Sequence, residues 1–488
     1  MVQWRTQLFV GGRWSDASDG ARFDVVDPTT EHVLADVAQA TPEDVERAVL
    51  AARAAFDEGP WPRLAVAERQ EVLRRFVSEL ERRTTDLVDT VVAEAGCTIQ
   101  LARAAQVGAP LAHLRDVVER VLPTFPFSRP QPPTFGIGMG QGVVVREPVG
   151  VVSAITPFNW PVFVNLAKVG PALAAGCTVV LRPSPYTPLS ALLLGEAAER
   201  AGVPAGVLNI VTGGVEAAAL LTTHPAVDMV SFTGSETVGK QVMAQAAGGV
   251  KKTILELGGK SANIVLDDAD LERAAPFAVT SFTRHAGQGC ACLTRILVHE
   301  SRHDELVARM RDVLAALKVG EPSDPATDMG PLISAAQRDR VERYVGIGRE
   351  EGATIAFGGG RPPFERGYFV EPTLFVDVKN SMRIAQEEIF GPVGVVIPFV
   401  DEDDAVVQAN DSAYGLSGAV WSKDPARAYG IAARLRTGTV HMNGVGGGVN
   451  PHGPFGGYKL SGIGREFGEA AFDEYLETKT VNWPVAGG

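Results

Sequence analysis

Apolar runs of strand length alternate with amphipathic stretches of helix length along most of the chain. Thr41 and Pro42 begin one such stretch, in which apolar residues from Val45 to Phe56 recur on one helix face. A second helical pattern covers about residues 65–94. Strands joined by helices of this length need crossover connections, so the pattern predicts an α/β fold with parallel sheets.

The alternation forms two successive units. The first has strand patterns at 149–155, 178–181, 207–211 and 228–232, with helices over 162–175 and from a Thr187-Pro188 cap to about 202. The second follows Glu256 and has strand patterns at 263–266, 295–299, 395–399 and 418–421, with helices over 302–317 and 335–351. The repeated strand-helix order predicts a nucleotide-binding type of sheet in the first unit and a second α/β sheet after it.

Two stretches fit neither unit. Residues 121–142 are rich in Pro, Phe and Gly, and residues 478–483 alternate like a strand with no obvious partner after them. A terminal strand of this kind either adds to the sheet of a neighbouring subunit or closes its own domain. The sequence leaves both alternatives open.

Composition narrows the classes of function. The 488 residues correspond to roughly three domains at about 150 residues each. The net charge of −13 disfavours nucleic acid and anionic membranes as partners, because both attract basic surfaces. No apolar stretch is long enough to span a bilayer, and the N-terminus lacks the order of a signal peptide. Four cysteines without metal-site spacing favour a reducing compartment, so we expect a cytoplasmic protein without a metal site.

The first candidate for chemistry is the polar, glycine-bearing stretch from Gly287 to Cys292, which contains two of the four cysteines. Such a stretch suits an exposed thiol better than a buried one. Upstream, Glu256 directly follows the apolar run Thr253–Leu255 and is expected at the end of a strand. A thiol and an acid in these settings predict covalent catalysis with an acid/base partner.

Two further stretches follow predicted strands. Residues 232–239 lead into a helix, whose N-terminal N–H groups suit a phosphate. The three-glycine fingerprint is absent, so this pattern on its own favours a plain strand-to-helix turn. Residues 156–161 lie at the carboxyl end of a strand, where parallel sheets bind ligands. Asn159 could donate its amide to a developing oxyanion, or it could simply satisfy loop backbone.

Six motifs in a fixed order resemble the aldehyde dehydrogenase superfamily of NAD(P)-dependent enzymes. They are Pro157-Phe158-Asn159-Trp160-Pro161, Phe232-Thr233-Gly234-Ser235, Glu256-Leu257-Gly258-Gly259-Lys260, Gly287-Gln288-Gly289-Cys290, Glu387-Glu388-Ile389-Phe390-Gly391-Pro392 and Pro454-Phe455-Gly456-Gly457-Tyr458-Lys459. They cover nearly the whole chain. The implied fold is a Rossmann-like cofactor domain, an α/β catalytic domain and a small β oligomerisation element.

The resemblance implies a role for each catalytic candidate. Cys290 is the expected nucleophile, and its backbone N–H and the Asn159 side chain are expected to hold the oxyanion. Hydride transfer would leave a thioester, which water activated by Glu256 would hydrolyse. Acyl transfer to coenzyme A is a second enzymatic interpretation, disfavoured because Glu256 is present. A catalytically silent protein on the same fold is a third.

The resemblance also implies a cofactor site. Its expected residues are Thr156, Pro157, Phe158, Arg182, Ser184, Gly234, Ser235, Gly239, Leu257, Glu388 and Phe390, with Ser235 at the pyrophosphate and Glu388 at the nicotinamide ribose. The family usually has Lys-Pro-Ser/Ala-Glu where this chain has Arg182-Pro183-Ser184-Pro185. Pro185 removes a carboxylate that would bind the adenosine ribose and repel a 2′-phosphate. This departure puts a strict NAD preference in doubt. NAD stays the expected cofactor by the resemblance, with NADP possible.

The substrate is less defined than the reaction. Arg284 lies six residues before Cys290, as in the similar succinate semialdehyde dehydrogenases, and could pair with a substrate carboxylate. Ala167 stands where that branch has a second Arg. Ala167 and the run Gly446–Gly448 instead suggest a wide mouth for bulkier apolar or aromatic aldehydes. The sequence keeps both substrate classes open.

The resemblance predicts a division of the chain and an assembly. Residues 1–125 and 149–256 would form the cofactor-binding domain, 257–468 the catalytic domain, and 126–148 with 469–488 the oligomerisation element. A homodimer or homotetramer is expected, with a small-molecule aldehyde as the only other partner.

Cys292 lies two residues after Cys290 and could form a reversible bridge with it, or could be a small packing residue. If the bridge protects Cys290, peroxide inactivation of the wild type will be fully reversed by a dithiol and will become irreversible in Cys292→Ala. Recovery of activity after peroxide and dithiol measures this. Identical recovery in the two proteins would contradict the protective role.

Overall fold

The computed structural model describes residues 2–135, 139–444 and 450–485. Its strands, numbered in chain order, are β1 (Leu8–Val10), β2 (Arg13–Ser15), β3 (Arg22–Val26), β4 (Val33–Ala38), β5 (Ser128–Pro130), β6 (Thr134–Phe135), β7 (Met139–Pro148), β8 (Val151–Ile155), β9 (Thr178–Arg182), β10 (Leu208–Ile210), β11 (Met229–Thr233), β12 (Lys252–Glu256), β13 (Ala262–Val265), β14 (Arg295–His299), β15 (Thr354–Phe357), β16 (Thr373–Val376), β17 (Val393–Phe399), β18 (Tyr414–Gly415), β19 (Ser417–Trp421), β20 (Thr439–Met442), β21 (Tyr458–Lys459), β22 (Gly462–Ile463) and β23 (Leu476–Pro484).

The α-helices are α1 (Pro42–Asp57), α2 (Val66–Arg82), α3 (Thr84–Ala95), α4 (Ile99–Leu101), α5 (Ala109–Asp116), α6 (Leu122–Thr124), α7 (Pro161–Ala175), α8 (Leu189–Ala201), α9 (Val215–Thr223), α10 (Glu236–Ala247), α11 (Leu271–Thr283), α12 (His303–Ala316), α13 (Ala335–Glu350), α14 (Arg383–Gln386), α15 (Glu402–Asn410), α16 (Pro425–Ala432) and α17 (Gly468–Glu474). Two π-helical segments, Ala102–Gly108 and Val117–Val121, interrupt the helical stretch between α4 and α6. No helix among the residues described is both long and apolar enough to cross a membrane.

The first sheet has eight strands in the order β2-β1-β10-β9-β8-β11-β12-β22. The five strands from β10 to β12 in that order run parallel, and the edge strands β1, β2 and β22 are antiparallel to their neighbours. Ile155 is in register with Phe232, and Thr233 is in register with Glu256. The carboxyl ends of β8, β11 and β12 therefore lie side by side, at the edge where α/β sheets bind ligands.

The second sheet has seven strands in the order β15-β16-β17-β14-β13-β19-β20, parallel except for β15. Three sequence motifs each lead into one of its three adjacent strands. Gly258-Gly259 leads into β13. The turn that contains Cys290 leads into β14, and the loop that contains Glu388 leads into β17. Sheet order therefore brings these three motifs to one edge of the second sheet.

The C-terminal segment forms β23, which pairs antiparallel with β7 of the same chain from Leu476 opposite Pro148 to Pro484 opposite Gly140. With β5 and β6 it forms a separate antiparallel sheet, so the stretch 121–142 supplies partners that the sequence did not reveal. β23 is the edge strand of this sheet and is exposed after Leu476. The predicted terminal strand is confirmed, and its partner lies within its own chain.

The structure confirms the parallel α/β class, the predicted strands of both sheets and Thr41 as the N-cap of α1. The predicted helix over 65–94 is two helices, because Arg83 leaves the helical conformation with ψ near 14°. The predicted Thr187 cap is wrong. The Glu94 carboxylate instead accepts the first N–H groups of α8, from Leu189 at 2.8 Å and Ser190 at 3.1 Å.

The boundaries of the three predicted domains stay a prediction. One feature of the topology bears on them, because β22 lies within the stretch assigned to the catalytic domain and pairs with β12 of the first sheet. The chain therefore returns to the first sheet before it forms α17 and β23.

Candidate functional site

Cys290 lies on a strained turn between α11 and β14. His285, Ala286 and Gly287 all have positive φ angles, of 51°, 52° and 70°. A side chain at Gly287 would collide with the backbone of Gly391, so only glycine fits there. Strain held in this way by surrounding structure is typical of functional turns.

The cysteine side chains differ from the expectation of one exposed thiol. Cys290 and Cys292 are both half-buried, and Cys97 and Cys177 are buried. Burial raises the pKa of the Cys290 thiol, and the negative charges of Glu256 and Glu388 raise that pKa further. Burial also raises the pKa of Cys292 to about 12, against the effect of Arg284. Both thiols are therefore protonated at neutral pH in this state of the site.

Asn159 is buried at the start of α7 and faces the Cys290 turn. Its Nδ2 donates to the carbonyl oxygen of Gln288 at 2.9 Å. The Gln288 side chain is itself held, because its Oε1 accepts the N–H of Ile333 at 2.9 Å. A side-chain amide carries two hydrogens, so Asn159 keeps one for a second acceptor beside Cys290.

The two glycines after Leu257 make the closest backbone contacts in the site. A Cβ at Gly259 would collide with the carbonyl oxygen of Cys290, and one at Gly258 would collide with the Glu388 carboxylate. The Gly259 N–H donates to Glu388 Oε1 at 2.9 Å. The absence of side chains at these positions is what brings Glu256, Cys290 and Glu388 together.

Glu256 ends β12 and is buried, with 3% of its surface exposed. Within the described part of the chain neither of its carboxylate oxygens has a hydrogen-bond partner. Burial raises the pKa of Glu256 well above its ordinary value, and the charge of Glu466 adds to this, while Lys168 and Arg465 oppose it. A carboxylate in this setting is a stronger base than an exposed one.

A buried polar cluster beside Glu256 escaped the sequence analysis. Lys168 Nζ pairs with Glu466 Oε1 at 2.7 Å and donates to Ser231 Oγ at 3.1 Å. The Ser231 hydroxyl in turn lies 3.2 Å from that of Tyr475. A single lysine within the apolar helix α7 was the signal that could have indicated this cluster, because a buried ammonium needs a partner.

The N-terminus of α10 fits a phosphate group. Ser235 caps this helix, and its Oγ accepts the N–H of Val238 at 3.4 Å. The N–H groups of Glu236 and Thr237 have no intrahelical acceptor at this end of the helix. A Cβ at Gly239 would collide with Leu257, so Gly239 and Leu257 fix how closely α10 approaches the first sheet.

Other predicted cofactor residues lie along the same edge. Thr156 N–H donates to Arg182 O at 3.1 Å, and Arg182 Nη2 donates to Gly213 O at 2.6 Å. Burial lowers the pKa of Arg182 to about 10. Ser184 Oγ accepts the N–H of Tyr186 at 3.3 Å. These bonds place Arg182 and Ser184 next to one another at the carboxyl end of β9.

Aromatic rings connect the loops at the edge of the first sheet to the loop before β17 of the second sheet, across the cleft between them. The Phe158 ring, beside half-buried Pro157, lies 5.9 Å from Tyr186 and 5.8 Å from Phe390 in edge-to-face geometry. Phe390 has a φ of 61°, and Gln337 Nε2 holds its carbonyl at 2.7 Å. Burial raises the pKa of Glu388 to about 7. Gln337 of α13 therefore holds the backbone of the loop that contains Glu388, and the Phe390 ring of this loop contacts the Phe158 ring.

An apolar cavity lies one helical turn from Asn159. It is lined by Pro110, His113, Leu114, Val117, Phe163, Leu166, Ala167, Pro171, Phe467 and Ala471. Ring contacts run from the His285 ring through Trp160 to Phe163, at 6.2 and 6.0 Å. None of these lining residues is Asp, Glu, Lys or Arg, so the described part of the cavity suits an apolar group.

Of the residues predicted to bear on substrate choice, the structure describes Arg284 but not the glycine run. Arg284 is exposed, and its charge acts on Cys292 at the Cys290 turn. Gly446–Gly448 lie outside the described residues. Over the ranges described, no group of three or more His, Cys, Asp or Glu side chains is placed to hold a metal ion.

Comparison with known proteins places this site in context. Residues 14–481 match the model of the aldehyde dehydrogenase family. The chain is 43% identical to 3-succinoylsemialdehyde-pyridine dehydrogenase from a Pseudomonas species and 43% identical to geranial dehydrogenase from Castellaniella defragrans, covering 97% of this chain and 98% of each relative. The solved structure of betaine aldehyde dehydrogenase from Staphylococcus aureus in complex with NAD+ superimposes with a TM-score of 0.94, at 37% identity over 98% of this chain and 95% of that one.

The cluster beside Glu256 generates a prediction about pH dependence. In Glu466→Gln, the loss of the neighbouring negative charge and the unpaired Lys168 cation both lower the pKa of Glu256. The resemblance implies that Glu256 is the base for thioester hydrolysis, and a base acts when deprotonated. On that role, the rising limb of the pH profile for hydrolysis should move to lower pH. Steady-state rates between about pH 5 and 9, under conditions where hydrolysis is rate-limiting, measure the shift. A limb that stays in place or moves to higher pH would contradict this account.

Proposed function

Because the chain belongs to the aldehyde dehydrogenase family, we propose that it oxidises an aldehyde to a carboxylic acid with NAD+ through a thioester on Cys290. The observation that carries the proposal is the meeting of three groups at one turn. Asn159 Nδ2 donates to the Gln288 carbonyl oxygen, the Gly259 backbone lies against the Cys290 carbonyl oxygen, and Glu256 ends the strand that leads to Gly259.

The proposed chemistry has two halves. The Cys290 thiol loses its proton to solvent, and its sulfur attacks the aldehyde carbonyl carbon. The developing oxyanion accepts hydrogen bonds from Asn159 Nδ2 and the Cys290 N–H. When bound, NAD+ supplies the acceptor for the hydride. In the second half Glu256 takes a proton from water, which attacks the thioester carbon and releases the acid and the Cys290 thiol.

The residues of the cleft fit the cofactor by their chemistry. The free N–H groups that begin α10 behind Ser235 suit a pyrophosphate, and the Glu388 carboxylate, whose Oε1 is held by Gly259, suits ribose hydroxyls. We propose that NAD+ is the working cofactor. NADP+ stays a second possibility because Pro185 offers no carboxylate against a 2′-phosphate, and Arg182 is buried next to Ser184.

The first test separates the nucleophile from the base. We expect Cys290→Ala to abolish both the burst and the steady-state formation of NADH. Glu256→Gln should still give one burst equivalent per active site and then turn over about 10²- to 10⁴-fold more slowly, because acylation does not need this base. Rapid-mixing absorbance measurements at 340 nm follow both phases.

Cys292→Ala is the matched control for the nucleophile, since it removes a half-buried thiol two residues away. It should retain the burst and the turnover. Turnover by Cys290→Ala would refute the covalent route. A wild type that binds NAD+ but oxidises no aldehyde would support the catalytically silent alternative.

We further propose that the substrate is a bulky apolar or aromatic aldehyde. The uncharged cavity beside Phe163 and Ala167 supports this, and two similar proteins are named for geranial and a pyridine semialdehyde. A second candidate class is an aldehyde with a carboxylate, favoured by Arg284 at the Cys290 turn.

Paired substrates distinguish the two classes. Ala167→Phe would narrow the cavity, so kcat/KM for a terpenoid or aromatic aldehyde should fall about 10- to 100-fold, while that for propanal stays near the wild-type value. In Arg284→Met the same bulky substrates should be unaffected. A wild-type preference for succinate semialdehyde that is lost in Arg284→Met would establish the carboxylate class instead.

We also propose a cytoplasmic homodimer or homotetramer. The exposed edge strand β23 and its partner β7 support an intersubunit contact, because an unpaired edge can accept a strand from another copy. The boundaries predicted for the oligomerisation element, 126–148 and 469–488, include both strands.

A further inference from the structure

Gln106 is a buried polar side chain whose amide nitrogen bonds to the candidate oxyanion residue. It lies in the π-helical segment Ala102–Gly108, and its side chain is fully buried. Its Nε2 donates to the backbone oxygen of Asn159 at 2.8 Å. The two residues are 53 positions apart, so tertiary packing alone brings them together.

The π-helix explains how Gln106 reaches this position. A π-turn has one more residue than an α-turn, so it rotates the side chains that follow it relative to a regular helix. The segment is seven residues long, and π-helices of any length are rare and concentrate at functional sites. The irregular helix therefore favours a local role for Gln106 over one in general packing.

Asn159 lies in a loop that has little support of its own. The following residue, Trp160, begins α7 without a side-chain cap and with a φ of −133°. Asn159 is held at its backbone by Gln106 and at its side chain by the Gln288 carbonyl. The His285 ring also lies at the Asn159 backbone. The Gln106 bond therefore acts on the backbone from which Asn159 presents its amide.

We propose that Gln106 is a positioning residue, which fixes the Asn159 backbone so that Nδ2 points at the oxyanion formed on the Cys290 adduct. The inference rests on the proposed function of Asn159. Donors of this kind act only within a narrow geometry, and a displacement of about 1 Å can cost about 10² in rate. Loss of the Gln106 bond should therefore slow acylation without removing any group that touches substrate or cofactor.

The main experiment compares Gln106→Met with Gln70→Met. Gln70 is the matched control because it is a buried Gln whose Nε2 also donates to a backbone oxygen, that of Val118, at 2.8 Å, with a longer contact of 3.5 Å to Glu119 Oε2. Both variants should lose a similar amount of thermal stability. Only Gln106→Met should lose NADH burst rate, by about 10- to 100-fold, with the Kd for NAD+ unchanged. An unchanged burst rate in Gln106→Met, or an equal loss in Gln70→Met, overturns the inference.

Gln106→Glu keeps the experiment decisive if the Met variant does not fold. It has nearly the shape of Gln but no N–H donor, and it donates an O–H only when protonated. The acylation rate of this variant should rise as pH falls, relative to the wild type. A pH profile parallel to that of the wild type would contradict the role of the hydrogen bond.

A double-mutant cycle tests whether Gln106 acts through Asn159. In an Asn159→Ala background, Gln106→Met should change the single-turnover acylation rate by less than about twofold, because the group it positions is gone. Independent, multiplying losses would overturn the inference. An Asn159→Ala variant with wild-type acylation would refute the oxyanion site itself, whereas a slow Asn159→Ala with a normal Gln106→Met refutes only the role of Gln106.

Discussion

The close approach of the Gly258-Gly259 backbone to the Cys290 turn is the contact on which the site depends. These glycines connect β12 of the first sheet to β13 of the second, and any side chain there would collide with Cys290 or Glu388. The link therefore sets the distance between the two sheets. The same link sets the position of Glu256 relative to Cys290, because Glu256 is the last residue of β12, the strand that leads into the link.

Burial gives the site its electrostatic character. Glu256, Glu388 and Cys290 all have raised pKa values, and burial is the largest cause for each. The Lys168–Glu466 pair adds a charged neighbour inside the same interior. Glu256 is buried and Cys290 and Glu388 are half-buried, so solvent screens their charges less than it would at the surface. The negative charges of Glu256 and Glu388 therefore favour the protonated form of the Cys290 thiol.

Rigid surroundings hold the reactive loops, which have little regular structure of their own. Gln288 is anchored to Ile333, Phe390 to Gln337, and Asn159 to Gln106. Each anchor is a side-chain amide. Gln337 and Gln106 bond to the backbone of a loop, whereas Gln288 belongs to the loop and bonds to the backbone of Ile333. Site geometry of this kind is fixed by packing and hydrogen bonds rather than by local propensity.

The sequence by itself determined the α/β class, most strands and helices, and the residues expected to react, because periodicity and motifs are local. The thiol at Cys290, the acid at Glu256 and the amide at Asn159 were all identifiable in this way. Sequence could not determine that Cys290 is only half-buried, that Lys168 pairs with Glu466, or that Gln106 reaches Asn159. Those facts depend on contacts between residues 53 or 298 positions apart, and only the packed tertiary structure brings such residues together.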